Sequence, residues 1–243
     1  GIVPHAGWVF SGATAGQVFA FLKKHSSPST FIFYGAVHHF MGNAGVIMDS
    51  GTWVTPLGDV QIDEQLAAEM MSGVEGLSAS IYSHEGEHSI EVNVPFIRSL
   101  FPEAKLVPVL VPPTEDAARI GREIGRIIAG REDIVALGST DLTHYGPRYG
   151  FAPKGTGQAA HDWVKNVNDR RVIDLAVGMK AEQVVEDAAL YQNTCGAGAI
   201  AATVATAREC GKEKGILLDY TTSHEVMPQG APSMFVGYAG IVF

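Results

Sequence analysis

Histidine is the residue type on which the chemistry of this sequence turns. Nine are present, and four of them fall in three polar strings that each follow an apolar run: Pro4-His5-Ala6-Gly7-Trp8, Val37-His38-His39-Phe40 and Asp141-Leu142-Thr143-His144-Tyr145. Neutral imidazole is the commonest metal ligand and a general base near neutral pH. A fourth string, Thr222-Ser223-His224-Glu225, also follows an apolar run. Two histidines and a carboxylate form the ligand set of non-haem iron(II) sites with open positions. The same set suits zinc with a bound water. Asp141 stands three residues before His144, where a carboxylate can fix the tautomer and raise the basicity of the ring. That pairing makes His144 a candidate general acid/base and Asp141 its orienter.

A second polar cluster holds Glu85, Glu87, His88 and Glu91. On a helix, His88 and Glu91 share a face at i, i+3. Successive side chains of an extended segment point opposite ways, so only one of His38 and His39 easily faces a shared site. His25 and His161 read as structural residues on helix surfaces. Cys195 reads as a small buried hydrophobe near a helix start. No HExxH or CxxC string is present, and the glycines lack dinucleotide or phosphate-loop spacing. A single histidine after a strand is more often structural than a ligand. Here four separate strand ends all carry His, Asp or Glu.

Such residues meet only if the elements before them end at one rim. Apolar runs at 1–3, 31–34, 105–111, 134–137, 216–220 and 235–242 read as strands. Helical spacing recurs over 11–24, 63–71, 87–100, 114–129, 155–169, 170–177, 181–191 and 196–210. Segments 46–48 and 53–54 read as a strand pair or edge structure. Strands alternating with helices indicate an α/β fold with a mostly parallel central sheet. The loop joining the last two strands is too short for a crossover helix, which predicts an antiparallel pair. In open α/β sheets, sites form beyond the carboxyl ends of the strands.

The composition, 46% hydrophobic and 18% charged over 243 residues, is globular and predicts a single domain over 1–243. Gly1 falls inside a strand-to-loop junction, which leads us to expect a missing N-terminal segment. A net charge of −9 with dispersed acids argues against nucleic acid or an anionic membrane as partner. No apolar run is long enough for a membrane span. Two cysteines and no disulfide framework point to a reducing, cytoplasmic compartment.

Taken together, seven strings resemble the MEMO family, in order and over almost the entire chain. They are Pro4-His5-Ala6-Gly7, Val37-His38-His39, Thr55-Pro56-Leu57, Glu87-His88-Ser89-Ile90-Glu91, Ser139-Thr140-Asp141, His144 with Gly146, and Asn193-Thr194-Cys195-Gly196. The resemblance implies an α/β/α sandwich with a mostly parallel, mixed sheet, like that of class III extradiol dioxygenases. It implies a divalent metal, iron(II) first, with copper or zinc as alternatives. His5 and His38 match the family's metal-binding histidines, and Asp141 and His144 match its second pair. The resemblance also implies a cysteine in the loop after the penultimate strand. That loop reads Ser223-His224-Glu225-Val226-Met227, so Glu225, or else His224, becomes the expected third ligand. His39, His88 and Glu91 are expected to line the substrate pocket.

The implied function is a metal-dependent oxidoreductase acting on a small, aromatic substrate. The alternatives are a peptide-binding scaffold using the same pocket, or a zinc-type hydrolase. AMMECR1-like and radical-SAM proteins are the implied partners, as for microbial members of the AmmeMemoRadiSam grouping.

Overall fold

The run Phe31-Ile32-Phe33-Tyr34 shows how the core is divided. Its side chains alternate between faces, so Phe31 and Phe33 join one apolar cluster while Ile32 and Tyr34 join another. All four are wholly buried. A strand apolar on both faces needs helices on both, and the computed structural model, which describes residues 1–39 and 42–243, has them. Phe40, the end of the second histidine string, lies outside the described residues.

The strands are β1 (Ile2–Val3), β2 (Thr30–Gly35), β3 (Gly45–Ile47), β4 (Thr52–Trp53), β5 (Val60–Gln61), β6 (Leu77–Ala79), β7 (Lys105–Leu110), β8 (Ile134–Ser139), β9 (His144–Tyr145), β10 (Ile216–Thr222) and β11 (Phe235–Val242). The helices are α1 (Trp8–His25), α2 (Glu64–Gly73), α3 (His88–Glu91), α4 (Val94–Leu100), α5 (Ala117–Ile128), α6 (Gln158–Trp163), α7 (Asp169–Val177), α8 (Ala181–Tyr191), α9 (Ala197–Glu209) and α10 (Ser223–Val226). A mixed sheet runs in the order β10-β11-β1-β8-β2-β7-β3-β6, with β9 paired to β11. Helices α1, α3 and α4 pack on one face; α2, α5, α7, α8 and α9 pack on the other. The α/β layering expected from the sequence is present, and β10 and β11 pair antiparallel as expected. Helices α5 and α9 approach closely because α5 carries glycines at the contact. A Cβ at Gly121 would stand 2.1 Å from Ala202 O, and one at Gly125 would meet the Thr206 backbone.

Several boundaries differ from the sequence reading. Helix α1 starts at Trp8 rather than Ser11; Trp8 and Val9 are exposed, so the apolar stripe gives no sign of the first turn. The expected helix 87–100 is two helices, because Pro95 has no N–H to carry the ladder across. β3 belongs to the main sheet, between β7 and β6, while β4 pairs with β5 in a separate ribbon. Segment 155–169 contains a π-helical turn, Val164–Asn168, that runs into α7.

Strands β1, β8 and β2 are neighbours and mutually parallel. Their carboxyl ends therefore deliver His5, the segment after Ser139, and His38 to one rim. β10 and β1 are both antiparallel to β11, so β10 ends at that rim too, but β11 stands between them. No helix among the described residues is long and apolar enough to cross a membrane.

Candidate functional site

The rim gathers three imidazoles. One ligand atom from each of His5, His38 and His88 lies within 4.8 Å of the others. Ring centroids are 5.2 Å apart for His5 and His38, 5.4 Å for His5 and His88, and 4.6 Å for His38 and His88. The sequence reading placed His5 and His38 together as metal ligands and His88 beside them as a pocket residue. The structure brings all three together.

Hydrogen bonds decide which nitrogen each ring presents. The Ser139 hydroxyl donates to Ser89 O, so toward His5 it can only accept. His5 Nδ1, 3.0 Å away, is therefore the protonated nitrogen, and Nε2 keeps its lone pair. His38 Nδ1 lies 2.9 and 3.1 Å from the two Glu87 oxygens, which leaves its Nε2 free in the same way. Glu87 also accepts from His38 N and Ser89 N. Buried carboxylates or hydroxyls behind a histidine are the usual means of aiming the opposite nitrogen at a metal.

The same contacts set the charges. Burial holds the His5 ring well below the ordinary imidazole value, helped by His38 and His88 nearby, so it is neutral at pH 7. The Glu87 hydrogen bond raises His38, against the effect of partial burial. Burial pushes the Glu87 carboxyl up, but the bonds from His38 and Ser89 outweigh it and hold the group below the usual carboxylate range.

Cys195 stands beside the cluster. Its Sγ is 3.2 Å from His5 Nε2, and Asp141 N donates to it at 3.4 Å. Burial, with Asp141 nearby, pushes the thiol up to about 12. Asp141 itself is buried, and its Oδ1 accepts from His5 N (2.8 Å) and Ala6 N (3.2 Å). Its Oδ2 is 4.0 Å from His144 Nε2. Burial raises Asp141 and lowers His144, each against the pull of the other. His144 Nε2 is buried with no hydrogen-bond partner among the described residues, and the Tyr149 ring lies 5.1 Å from the His144 ring.

Other expected residues stand apart. Glu225 is taken up by Lys165 and by a capping box with Thr222, and His224 packs against His161 at 5.5 Å. Neither joins the histidine group, so the expectation of Glu225 or His224 as third ligand is corrected. The cause is strand order: β11 separates β10 from β1, a displacement of about 10 Å at the usual strand spacing. The thiol beside His5 is that of Cys195, from the turn before α9. His39 and Glu91 are exposed and are not in the converging group. Glu87, Ser139 and Cys195 were not singled out as site residues. Their only signals are the carboxylate directly before His88, the serine closing β8, and the Asn-Thr-Cys-Gly string.

The chain is similar to known proteins over its full length. The family model for Memo-like protein matches residues 1–242. A MEMO1 family protein of Caldivirga maquilingensis is 36% identical over 100% of this chain and 82% of its own length. The MEMO1 family protein TK1477 of Thermococcus kodakarensis is 35% identical, over 100% and 86%. Among solved structures, the uncharacterized protein JW3007 from Escherichia coli K12 superposes with a TM-score of 0.51 at 12% identity. It covers 91% of each chain, a likeness of fold alone.

Proposed function

Because the chain belongs to the Memo-like protein family, we propose that its histidine rim holds one divalent transition-metal ion, iron(II) first, and that the protein is an oxidoreductase acting on a small molecule. One observation carries the reading: His5, His38 and His88 converge within 4.8 Å. The hydrogen bonds behind His5 and His38 support it, since each takes up Nδ1 and leaves Nε2 as the donor atom, met at His5 by the Cys195 thiol. Imidazoles with a thiol in reach suit iron, copper or zinc better than magnesium or calcium, which prefer oxygen donors. When bound, such an ion supplies Lewis-acid and redox chemistry at an open position.

The protein's own groups supply the rest. His144 is placed to take or give a proton at Nε2, the atom that lacks a partner. Asp141 stabilises the protonated ring at 4.0 Å. Tyr149 walls that side of the site beside the His144 ring.

The test is metal analysis of protein purified anaerobically without added metal, followed by oxygen uptake with a panel of catechols. Iron lost in His5→Ala and His38→Ala, with uptake on at least one catechol, is the expected result. Zinc alone, with hydrolysis in place of uptake, would replace the redox reading. Absence of bound metal, with peptide binding unaffected by either substitution, would replace it with the scaffold reading.

A further inference from the structure

Two consecutive buried polar residues, Asn168 and Asp169, are not part of the histidine rim. They are 1% and 0% exposed; Asn168 ends the π-helical turn Val164–Asn168 and Asp169 follows it. Such turns are rare and recur at functional sites. We propose that Asn168 and Asp169 are positioning residues for the rim, fixing the Thr143–His144 segment directly and the Thr194–Cys195 segment through Asn193. The proposal rests on the metal-binding reading given above.

The bonds run in a connected chain. Asp169 Oδ1 accepts from Thr143 N at 3.0 Å and from the Thr143 hydroxyl, and Oδ2 accepts from Tyr220 OH at 2.7 Å. Asn168 Nδ2 donates to Thr143 Oγ1 and to Tyr191 O, both at 3.0 Å. Asn193 Nδ2 donates to Asn168 O at 3.3 Å and to Asp187 at 2.7 Å. Thr143 immediately precedes His144, and Asn193 stands two residues before Cys195. The two segments also meet each other, since Cys195 N and the Thr194 hydroxyl both donate to Asp141 O. Asp141 in turn holds His5 N. One buried pair thus lies behind the proton-moving ring, the thiol and one metal-binding histidine.

The surrounding fold makes room for the carboxyl. A Cβ at Gly237 of β11 would stand 2.0 Å from Asp169 Oδ2, so a side chain there excludes the group. Burying a carboxyl is costly unless its bonds are met, and an apolar residue would serve packing alone. What an apolar residue would not do is pin Thr143 by both its backbone and its hydroxyl.

The experiment compares Asp169→Asn, Asn168→Ala and Thr143→Ser with the parent chain, using cobalt(II) as the probe metal. Far-UV circular dichroism establishes that each variant folds. The readouts are the His144 imidazole resonance in the NMR spectrum and the cobalt(II) affinity, neither of which moves in the folded fraction if the pair only stabilises the fold. We expect a displaced His144 resonance and about 10- to 100-fold weaker cobalt binding in the first two variants, the range seen for groups that support metal ligands. Thr143→Ser, which keeps the hydroxyl, should restore both to parent values. A folded Asp169→Asn with unchanged resonance and affinity overturns the proposal. Should that variant not fold, Tyr220→Phe removes a single donor and is judged by the same two readouts. If the parent binds no cobalt, the metal reading fails by itself, and the His144 resonance still decides the positioning role.

Discussion

Two corners of the same sheet rim hold histidines beside acids, and they differ in whether their donor atoms converge. At the first, His5 and His38 each spend Nδ1 on a buried acceptor; Nε2 of His5 meets the Cys195 thiol at 3.2 Å, and His144 Nε2 has no hydrogen-bond partner among the described residues. At the second, His161 spends Nε2 on Thr222 and leaves Nδ1 buried without a partner among the described residues, while Glu225 spends one oxygen on Lys165 and the other on the Thr222 backbone N–H. Composition makes the corners look alike. What separates them is convergence: ligand atoms of three rings lie within 4.8 Å of one another at the first corner, and no such group forms at the second among the described residues. Replacing groups at each corner tests that distinction.

The largest effect belongs to the free lone pairs. His5→Ala or His38→Ala removes one of three converging donors, and each is expected to abolish measurable cobalt(II) binding in a calorimetric titration while the protein stays folded. His161→Ala, in the second corner, is expected to lower the melting temperature and leave the titration unchanged. Tight binding in both rim variants would erase the contrast between the corners.

Asp169 lies between the two corners, bonded to Thr143 on one side and to Tyr220 of β10 on the other. Its carboxyl titrates near 4 in the unfolded chain, and burial raises it to about 7 in the folded protein, against the pull of Thr143 and Tyr220. Between those pH values the folded state holds a proton that the unfolded state has lost. Stability therefore falls as pH rises from about 4 to about 7, by up to about 4 kcal/mol from this group, with no further change outside that window. Denaturant titrations across the window, for the parent and Asp169→Asn, isolate the contribution. Parent stability minus that of Asp169→Asn should rise toward acid by the same amount, and a pH-independent difference would show that the carboxyl is already ionised when folded.

Glu87→Gln sharpens the contrast within the first corner. Glutamine can still accept from His38 Nδ1 through its carbonyl, but its NH2 must then face the backbone N–H of His38 or Ser89, so the charge and one of these backbone bonds are lost together. The expected outcome is metal affinity weaker by about 10- to 100-fold with the fold retained. His38, raised by this hydrogen bond, should then titrate lower in the metal-free protein, which NMR reads directly. An unchanged affinity would mean that orientation alone accounts for the support Glu87 gives.

How much of this was legible in the sequence depends on how local the cause is. His5, His38, Asp141 and His144 follow apolar runs, and parallel strands bring such positions to one rim, so local pattern placed them. His224 and Glu225 occupy an equivalent place in the chain. Nothing local reveals that β11 returns between β1 and β10, because strand order is a property of the whole sheet. Cys195 meets His5 across 190 residues and follows no periodic pattern. Among the clustered Glu85, Glu87, His88 and Glu91, Glu87 alone is buried, and only packing against Ser89 and His38 marks it out. The first turn of α1 was hidden for the opposite reason: Trp8 and Val9 are apolar but face solvent, so they fall outside the buried stripe of the helix.

The smallest effect is also the one that most directly separates the corners. Glu225→Ala removes a partly exposed ion pair with Lys165, of the kind that contributes about 1 kcal/mol or less. It also removes the reciprocal half of the capping box at the short helix α10, a contribution of similar size. The variant should therefore lose about 1 to 2 kcal/mol in a denaturant titration. Its cobalt(II) affinity should match that of the parent, because neither bond faces the histidine rim. Had Glu225 been a ligand, the order would reverse, with stability little changed and affinity collapsing. Measured together, stability and affinity in this one variant decide whether the second corner belongs to the fold or to the site.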